Sequence, residues 1–171
     1  MKKIKTPLTK SELKKLKAGD RVLISGVIYT ARDQAHKRIV DNIDKEEVPF
    51  PLSGALIYYA GPTPAKPDEI IGSIGPTTSY RMDAFTPALL KAGVLGMIGK
   101  GQRSDDVISA IRKHRAVYFL AGGGFGALLS QRVKKAKVIA YKELGAEAVR
   151  ELEVENFPVI VGIDSFGKSI L

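Results

Sequence analysis

Apolar residues in this chain fall in short runs, each closed by glycine, proline or a cluster of hydroxyls. Residues 21–29 are rich in valine, leucine and isoleucine and read as a strand. Residues 54–59 form a continuous apolar run that Gly61-Pro62-Thr63-Pro64 ends, the pattern of a buried strand. Residues 94–98, 116–121 and 138–141 repeat it, and 149–154 and 159–163 are two further candidates. Helical spacing takes over between them. Thr30 with Asp33 three residues on starts a helix reaching about Ile43, and Val48-Pro49-Phe50-Pro51 breaks it. Thr86 as N-cap with Pro87 at the first helical position opens a second, to Lys91. Ser104 and Asp105 open a third carrying Val107, Ile108 and Ile111, and Gly122–Gly126 turns into a fourth with Leu128, Leu129 and Val133. Strands alternating with short helices predict α/β architecture.

The chain's 171 residues suit one domain with a real core. Residues 1–18 read as a basic arm ending in a short helix, since Thr9 and Glu12 have capping-box spacing ahead of Leu13 and Leu16; residues 19–171 form the domain. No window holds the ~18 apolar residues of a membrane span. The positively charged N-terminus lacks a following apolar stretch, so no secretory signal is expected and the cytoplasm is the predicted location. There is no cysteine, which rules out disulfides, zinc thiolate sites and iron–sulfur ligation by this chain. Two histidines far apart give no metal site. The net charge of +9 fits nucleic acid, a polyanionic small molecule or an acidic partner. Nucleic-acid binding would need aromatics among the lysines, yet the basic arm has none and tryptophan is missing throughout.

Three clusters sit where strands end and helices begin, the place where open α/β sheets put ligands. In the first, Arg32 and His36 share a helix face, and Asp33 can reach His36 or Lys37. Arginine in a first helical turn opposes the macrodipole unless an anion is near, and its fork suits a carboxylate. The second is Gly75-Pro76-Thr77-Thr78-Ser79-Tyr80-Arg81-Met82-Asp83, in which a helix starting near Thr78 would present free backbone N–H groups. Thr77 or Thr78 there could donate to a substrate or move a proton, with Arg81 one turn on to hold a carboxylate; Ser79 reads as a simple cap. The third is Gly99-Lys100-Gly101-Gln102-Arg103, whose glycines admit close approach and whose Lys100 supplies a point charge. The Gly122–Gly126 run meets nucleotide-binding spacing only loosely, and close packing or partner docking explains it better. His114, among basic neighbours, reads as a surface residue.

Together, Arg32-Asp33-x-x-His36, the segment from Gly75 to Asp83, and Gly99-Lys-Gly-x-Arg103 resemble the β subunit, or C-terminal region, of class I fumarases and the related L-tartrate dehydratases. The likeness runs from about Leu16 to the end. It implies a single swivelling β/β/α domain, with a mixed sheet and flanking helices. The implied partner is a cysteine-bearing α subunit holding a 4Fe-4S cluster. The implied activity is that of a hydro-lyase active only with that subunit, converting (S)-malate to fumarate as in the tricarboxylic acid cycle. On this reading Arg32, Arg81 and Lys100 clamp carboxylates, Thr78 contacts substrate and Thr77 is the candidate base. Asp33, His36 and Asp83 support them. Tartrate and mesaconate remain alternative substrates. A basic nucleic-acid-binding module, or a non-catalytic assembly subunit making homo-oligomeric contacts through Gly122–Gly126 and the apolar tail, remain alternative functions.

Overall fold

The computed structural model describes residues 1–122 and 125–171. In chain order the elements are β1 (Lys2–Lys5), α1 (Lys10–Leu13), β2 (Arg21–Thr30), α2 (Asp33–Asn42), β3 (Leu56–Tyr58) and α3 (Thr86–Lys91). They continue with β4 (Gly96–Gly99), α4 (Asp105–His114), β5 (Val117–Leu120), α5 (Gly126–Ser130), β6 (Val133–Ala140) and β7 (Val149–Ile163). Short 3₁₀ turns lie at Ile43–Lys45, Ser79–Met82 and Lys142–Glu147. The protein is thus a mixed α/β domain with one seven-stranded sheet and flanking helices.

β2, β3, β4 and β5 run parallel in that order. β7 runs antiparallel to β5 and also to β2, so the pairings β2–β3–β4–β5–β7–β2 close into a ring. β1 extends it beside β2, and β6 beside the first half of β7. Side chains alternate across the ring with period two. Leu56, Tyr58, Ile98, Val117 and Phe119 join Ile24, Ile28, Leu152 and Phe157 in one cluster. Their neighbours Ile57, Tyr59, Met97 and Tyr118 join Ile39, Val107 and Ile111 in a second, against the helices. Both faces of β3 to β5 are therefore buried, which is why these strands read as unbroken apolar runs.

Several local expectations change. The basic first residues supply β1, parallel to β2, and Ile4, Leu8, Leu13 and Leu16 are buried in the first cluster. Thr30 is no helix cap: it ends β2, and its hydroxyl accepts the Arg150 N–H. Thr86 lies inside α3 after Phe85, and its hydroxyl donates back to the Met82 carbonyl. Val133 belongs to β6, not to the helix before it. The two last strand candidates are one strand of 15 residues. Pro158 falls after β6 stops pairing at Val154 and before β5 starts at Ile160, a stretch where a missing N–H is tolerated. Of the Gly122–Gly126 run, residues 123 and 124 lie outside the described residues.

Candidate active site at the ends of three parallel strands

Because β2, β3 and β4 are parallel, the segments that follow them emerge at one end of the sheet. Residues 75–83 cross that end. The Thr77 N–H donates to the Tyr59 carbonyl at 2.6 Å, and the Ser79 N–H donates to the Lys100 carbonyl at 2.9 Å. Thr78 and Lys100 thereby form a parallel bridge between the second and third clusters. The expectation of free N–H groups at the start of this segment is corrected for Thr77 and Ser79, whose N–H groups are engaged by backbone. The helix expected near Thr78 is a four-residue 3₁₀ turn.

Arg81 joins the first cluster to the second. Its Nε lies 3.2 Å from Asp33 Oδ2 and its Nη2 donates to Asp33 Oδ1 at 3.3 Å, a two-point contact between half-exposed side chains. Asp33 was expected to reach His36 or Lys37; it pairs with Arg81, and Lys37 pairs with Asp41. Arg32 is the N-cap of α2, in extended backbone. A Cβ on Gly61 would stand 3.2 Å from the Arg32 Cδ, so the arginine side chain lies against that bare glycine, with its buried Nε unpaired. Lys100 is exposed at the end of β4.

His36 sits beneath, fully buried, edge-on to the Tyr59 ring at 5.3 Å. Its Nδ1 lies 2.8 Å from the Arg32 carbonyl and donates to it, so its support of Arg32 runs through the backbone. Burial pulls its pKa down to about 4, helped by the nearby Arg103 charge and opposed by that hydrogen bond and by Asp33. The ring is neutral at neutral pH.

Asp83 has a different role from the other candidates. One oxygen accepts from Arg103 Nε at 2.7 Å and the other from the Ser104 N–H at 2.7 Å, at the start of α4. Arg103 is buried and also donates through Nη2 to the Thr86 hydroxyl at 2.9 Å and the Tyr59 hydroxyl at 3.1 Å. Burial works against its charge, but Tyr59 and Asp83 outweigh this and raise its pKa. Ser79, expected as a cap, is instead buried with its hydroxyl 2.7 Å from that of Tyr118. The Tyr118 hydroxyl donates to the Gly101 carbonyl at 2.8 Å, which leaves Ser79 as its donor. Burial pushes the Tyr118 pKa up to about 12. Arg103, Tyr59 and Tyr118 were missed as a group, since their partners lie on distant elements. His114, expected at the surface, is partly buried, and burial with Lys113, Lys10 and Lys91 nearby lowers its pKa.

Backbone contacts and the Arg81–Asp33 pair bring the segments that carry Arg32, Thr77, Thr78, Arg81 and Lys100 to one end of the sheet. Among the described residues no group of three or more His, Cys, Asp and Glu is placed to hold a metal. Fold and site together define a mixed α/β domain with three cation-bearing segments gathered at one end of its sheet. The chain belongs to the Fumarase C-terminus family, whose model matches residues 2–171. It is 43% identical to the "Putative L(+)-tartrate dehydratase subunit beta" of Methanocaldococcus jannaschii, over 95% of this chain and 87% of that protein. It is 36% identical to fumarate hydratase 2 of Leishmania major over 98% of this chain, and 37% identical to the anaerobic class I fumarate hydratase of Escherichia coli over 92%. It spans only 30% and 29% of the length of those two hydratases. No helix among the described residues is long and apolar enough to cross a membrane.

Proposed function

We propose that this chain is the β subunit of a two-subunit, cytoplasmic hydro-lyase that reversibly removes water from a 2-hydroxy dicarboxylate, (S)-malate to fumarate. The observation that carries the reading is the Arg81–Asp33 contact beside Arg32, together with the Thr78–Lys100 bridge. These bring the three cation-bearing segments to one end of the sheet. Two carboxylates on one substrate need at least two cationic grips, and Arg32, Arg81 and Lys100 supply three. Asp33 engages only Arg81 Nε and Nη2, which leaves the Nη1 side of the fork for a substrate carboxylate.

The donor set fits a dianion and does not fit an iron–sulfur cluster, because this chain has no thiolate to offer. A 4Fe-4S cluster would therefore come from a cysteine-bearing α subunit, and when bound there it supplies a Lewis acid for loss of the hydroxyl. This chain's part is to hold both carboxylates, exclude water and take the proton from carbon. Thr77 is the proposed base. A threonine hydroxyl is a poor one, and with the Thr77 and Ser79 N–H groups engaged, stabilisation of its anion falls to Arg81 and Lys100. Thr78, whose backbone bridges Lys100, is the proposed hydroxyl contact to substrate.

A second reading, dehydration of tartrate, rests on the 43% identity with a protein carrying that name over most of its length. Malate and tartrate need the same clamps and differ by one hydroxyl contact. The test is anaerobic mixing of the purified chain with its cysteine-bearing partner, followed by rates on malate, tartrate and mesaconate. Turnover of malate by the pair and by neither chain alone supports the proposal. A tartrate preference moves it to the second reading, and no turnover of any of the three with a cluster-loaded partner refutes both.

A further inference from the structure

Beneath Lys100 lies a buried polar group that binding of substrate does not require. Arg103 ends the turn that Lys100 begins, and its side chain is completely shielded from solvent. The guanidinium makes three kinds of contact: Nε to Asp83, Nη2 to the Tyr59 and Thr86 hydroxyls, and Cζ over the Tyr59 and Tyr118 rings, 5.2 and 4.7 Å from their centroids. Its Nη1 is buried without a partner, an arrangement that stability alone does not favour. A lysine, a point charge without the planar fork, could not span Asp83 and the two hydroxyls while lying over both rings.

The rest of the turn is held as firmly. The Gly99 carbonyl accepts the Ala121 N–H at 3.0 Å, and a Cβ on Gly99 would strike Ser79 Oγ at 1.9 Å. The Gly101 carbonyl takes the Tyr118 hydroxyl, whose other contact is Ser79, and the Lys100 carbonyl takes the Ser79 N–H. Asp83, the partner of Arg103, follows directly on the 3₁₀ turn that carries Ser79 and Arg81. Arg103 and Tyr118 thus tie the Lys100 turn to the Thr78–Asp83 turn from below, on either side of Lys100.

We propose that Arg103 is a positioning residue for Lys100: its buried fork fixes the turn of residues 99–103 against the turn of residues 79–82, and so sets where the Lys100 ammonium stands relative to Thr77 and Arg81. The inference rests on the proposed function for its kinetic consequence, but the positioning itself is readable without turnover. An ion pair that served only to anchor α4 would leave the geometry of Lys100 unaffected.

The test is a double-mutant cycle in the chain mixed with its cysteine-bearing partner, using Arg103→Lys, Lys100→Ala and the two combined. Arg103→Lys should raise KM for malate by about tenfold with a smaller fall in kcat, and the double variant should be no worse than Lys100→Ala within about twofold. Losses that multiply, or an unchanged KM in Arg103→Lys, overturn the proposal. Where Arg103→Lys fails to fold, Tyr118→Phe removes one hydroxyl at the other end of the same tie, and the same non-additivity with Lys100→Ala is expected. Hydrogen exchange of the Ser79 amide in the full chain alone gives an independent readout, with exchange about tenfold faster in Arg103→Lys. Faster exchange with no turnover in the wild-type pair would refute the proposed function and leave the positioning role standing, whereas unchanged exchange sinks the positioning role whatever the activity.

Discussion

Acidification should destabilise this protein through His36, whose imidazole is fully buried. The ring is fully buried, packs edge-on to Tyr59 and donates from Nδ1 to the Arg32 carbonyl, while its Nε2 is buried without a partner. Its pKa falls from 6.5 to about 4 on folding, chiefly through burial. The unfolded chain therefore takes up a proton as the pH drops through 6.5, and the folded chain resists until about 4. Stability from this group is fully present above the unfolded value, declines between the two values and is lost once the pH passes below the folded one. The whole gap is worth about 3 kcal/mol, of which about 2.5 kcal/mol disappears between pH 7.5 and 4.5. Urea unfolding of wild type and His36→Gln at both pH values isolates the effect, because carboxylates that titrate in the same range are common to both proteins. Wild type should lose about 2 kcal/mol more than the variant over that range. The chain has only two histidines, so ring resonances are assigned by difference and followed directly. A His36 midpoint near 6.5, or wild-type and variant stabilities that fall in parallel, would refute the reasoning.

Three further outcomes follow from named contacts. Gly99→Ala puts a Cβ 1.9 Å from Ser79 Oγ and 2.8 Å from Tyr59 Cδ2, and should cost about 1–3 kcal/mol in urea unfolding; an unchanged midpoint would show that the strand end has room. Asp83→Asn leaves the Arg103 charge buried without its counter-ion and should cost about 3 kcal/mol or more in the same assay, against less than about 0.5 kcal/mol for an exposed control such as Glu155→Gln. Arg81→Ala should leave the thermal midpoint within about 2 °C, since its pair with Asp33 is half-exposed, and yet lower kcat/KM of the mixed subunits by about 100-fold or more; activity within about threefold of wild type would remove Arg81 from the site.

How much of this was legible depended on the range of the interactions involved. The strands announced themselves because β3 to β5 are buried on both faces, so each appears as an apolar run bounded by glycine or proline. α4 was equally plain, with Ser104 capping through a hydrogen bond from the Val107 N–H. Thr30 misled because a hydroxyl three residues before an acid is the local pattern of a helix start, and only the pairing of β2 with β7 reveals that its oxygen is taken by Arg150. The three cation-bearing segments could be placed at one end of a sheet from chain order alone. Their mutual contacts could not: nothing within reach of Asp33 in sequence points to Arg81, 48 residues away. The tie under Lys100 was the least legible part, since Tyr59, Asp83, Thr86 and Tyr118 converge on Arg103 from separate elements and each alone reads as an ordinary strand or cap residue.

Magnitudes sort the two arginine–aspartate pairs into different tasks. Arg81 and Asp33 keep 40% and 36% of their side-chain surface in solvent, where an ion pair is worth about 0–1 kcal/mol. Such a pair holds its arginine in place yet yields readily, so a substrate carboxylate could share or displace Asp33 at little cost. Arg103 and Asp83 keep 0% and 13%, and separating them costs about 3–5 kcal/mol because the charge left behind stays buried. No substrate-sized anion would recover that, and Arg103 has no open side through which to reach one. On the proposed function, the same chemical pair, repeated within one end of the sheet, would serve as an exchangeable grip where water reaches it, and it forms a fixed tie where water does not. A Tm shift for Asp83→Asn no larger than that for Asp33→Asn would show that burial does not divide them in this way.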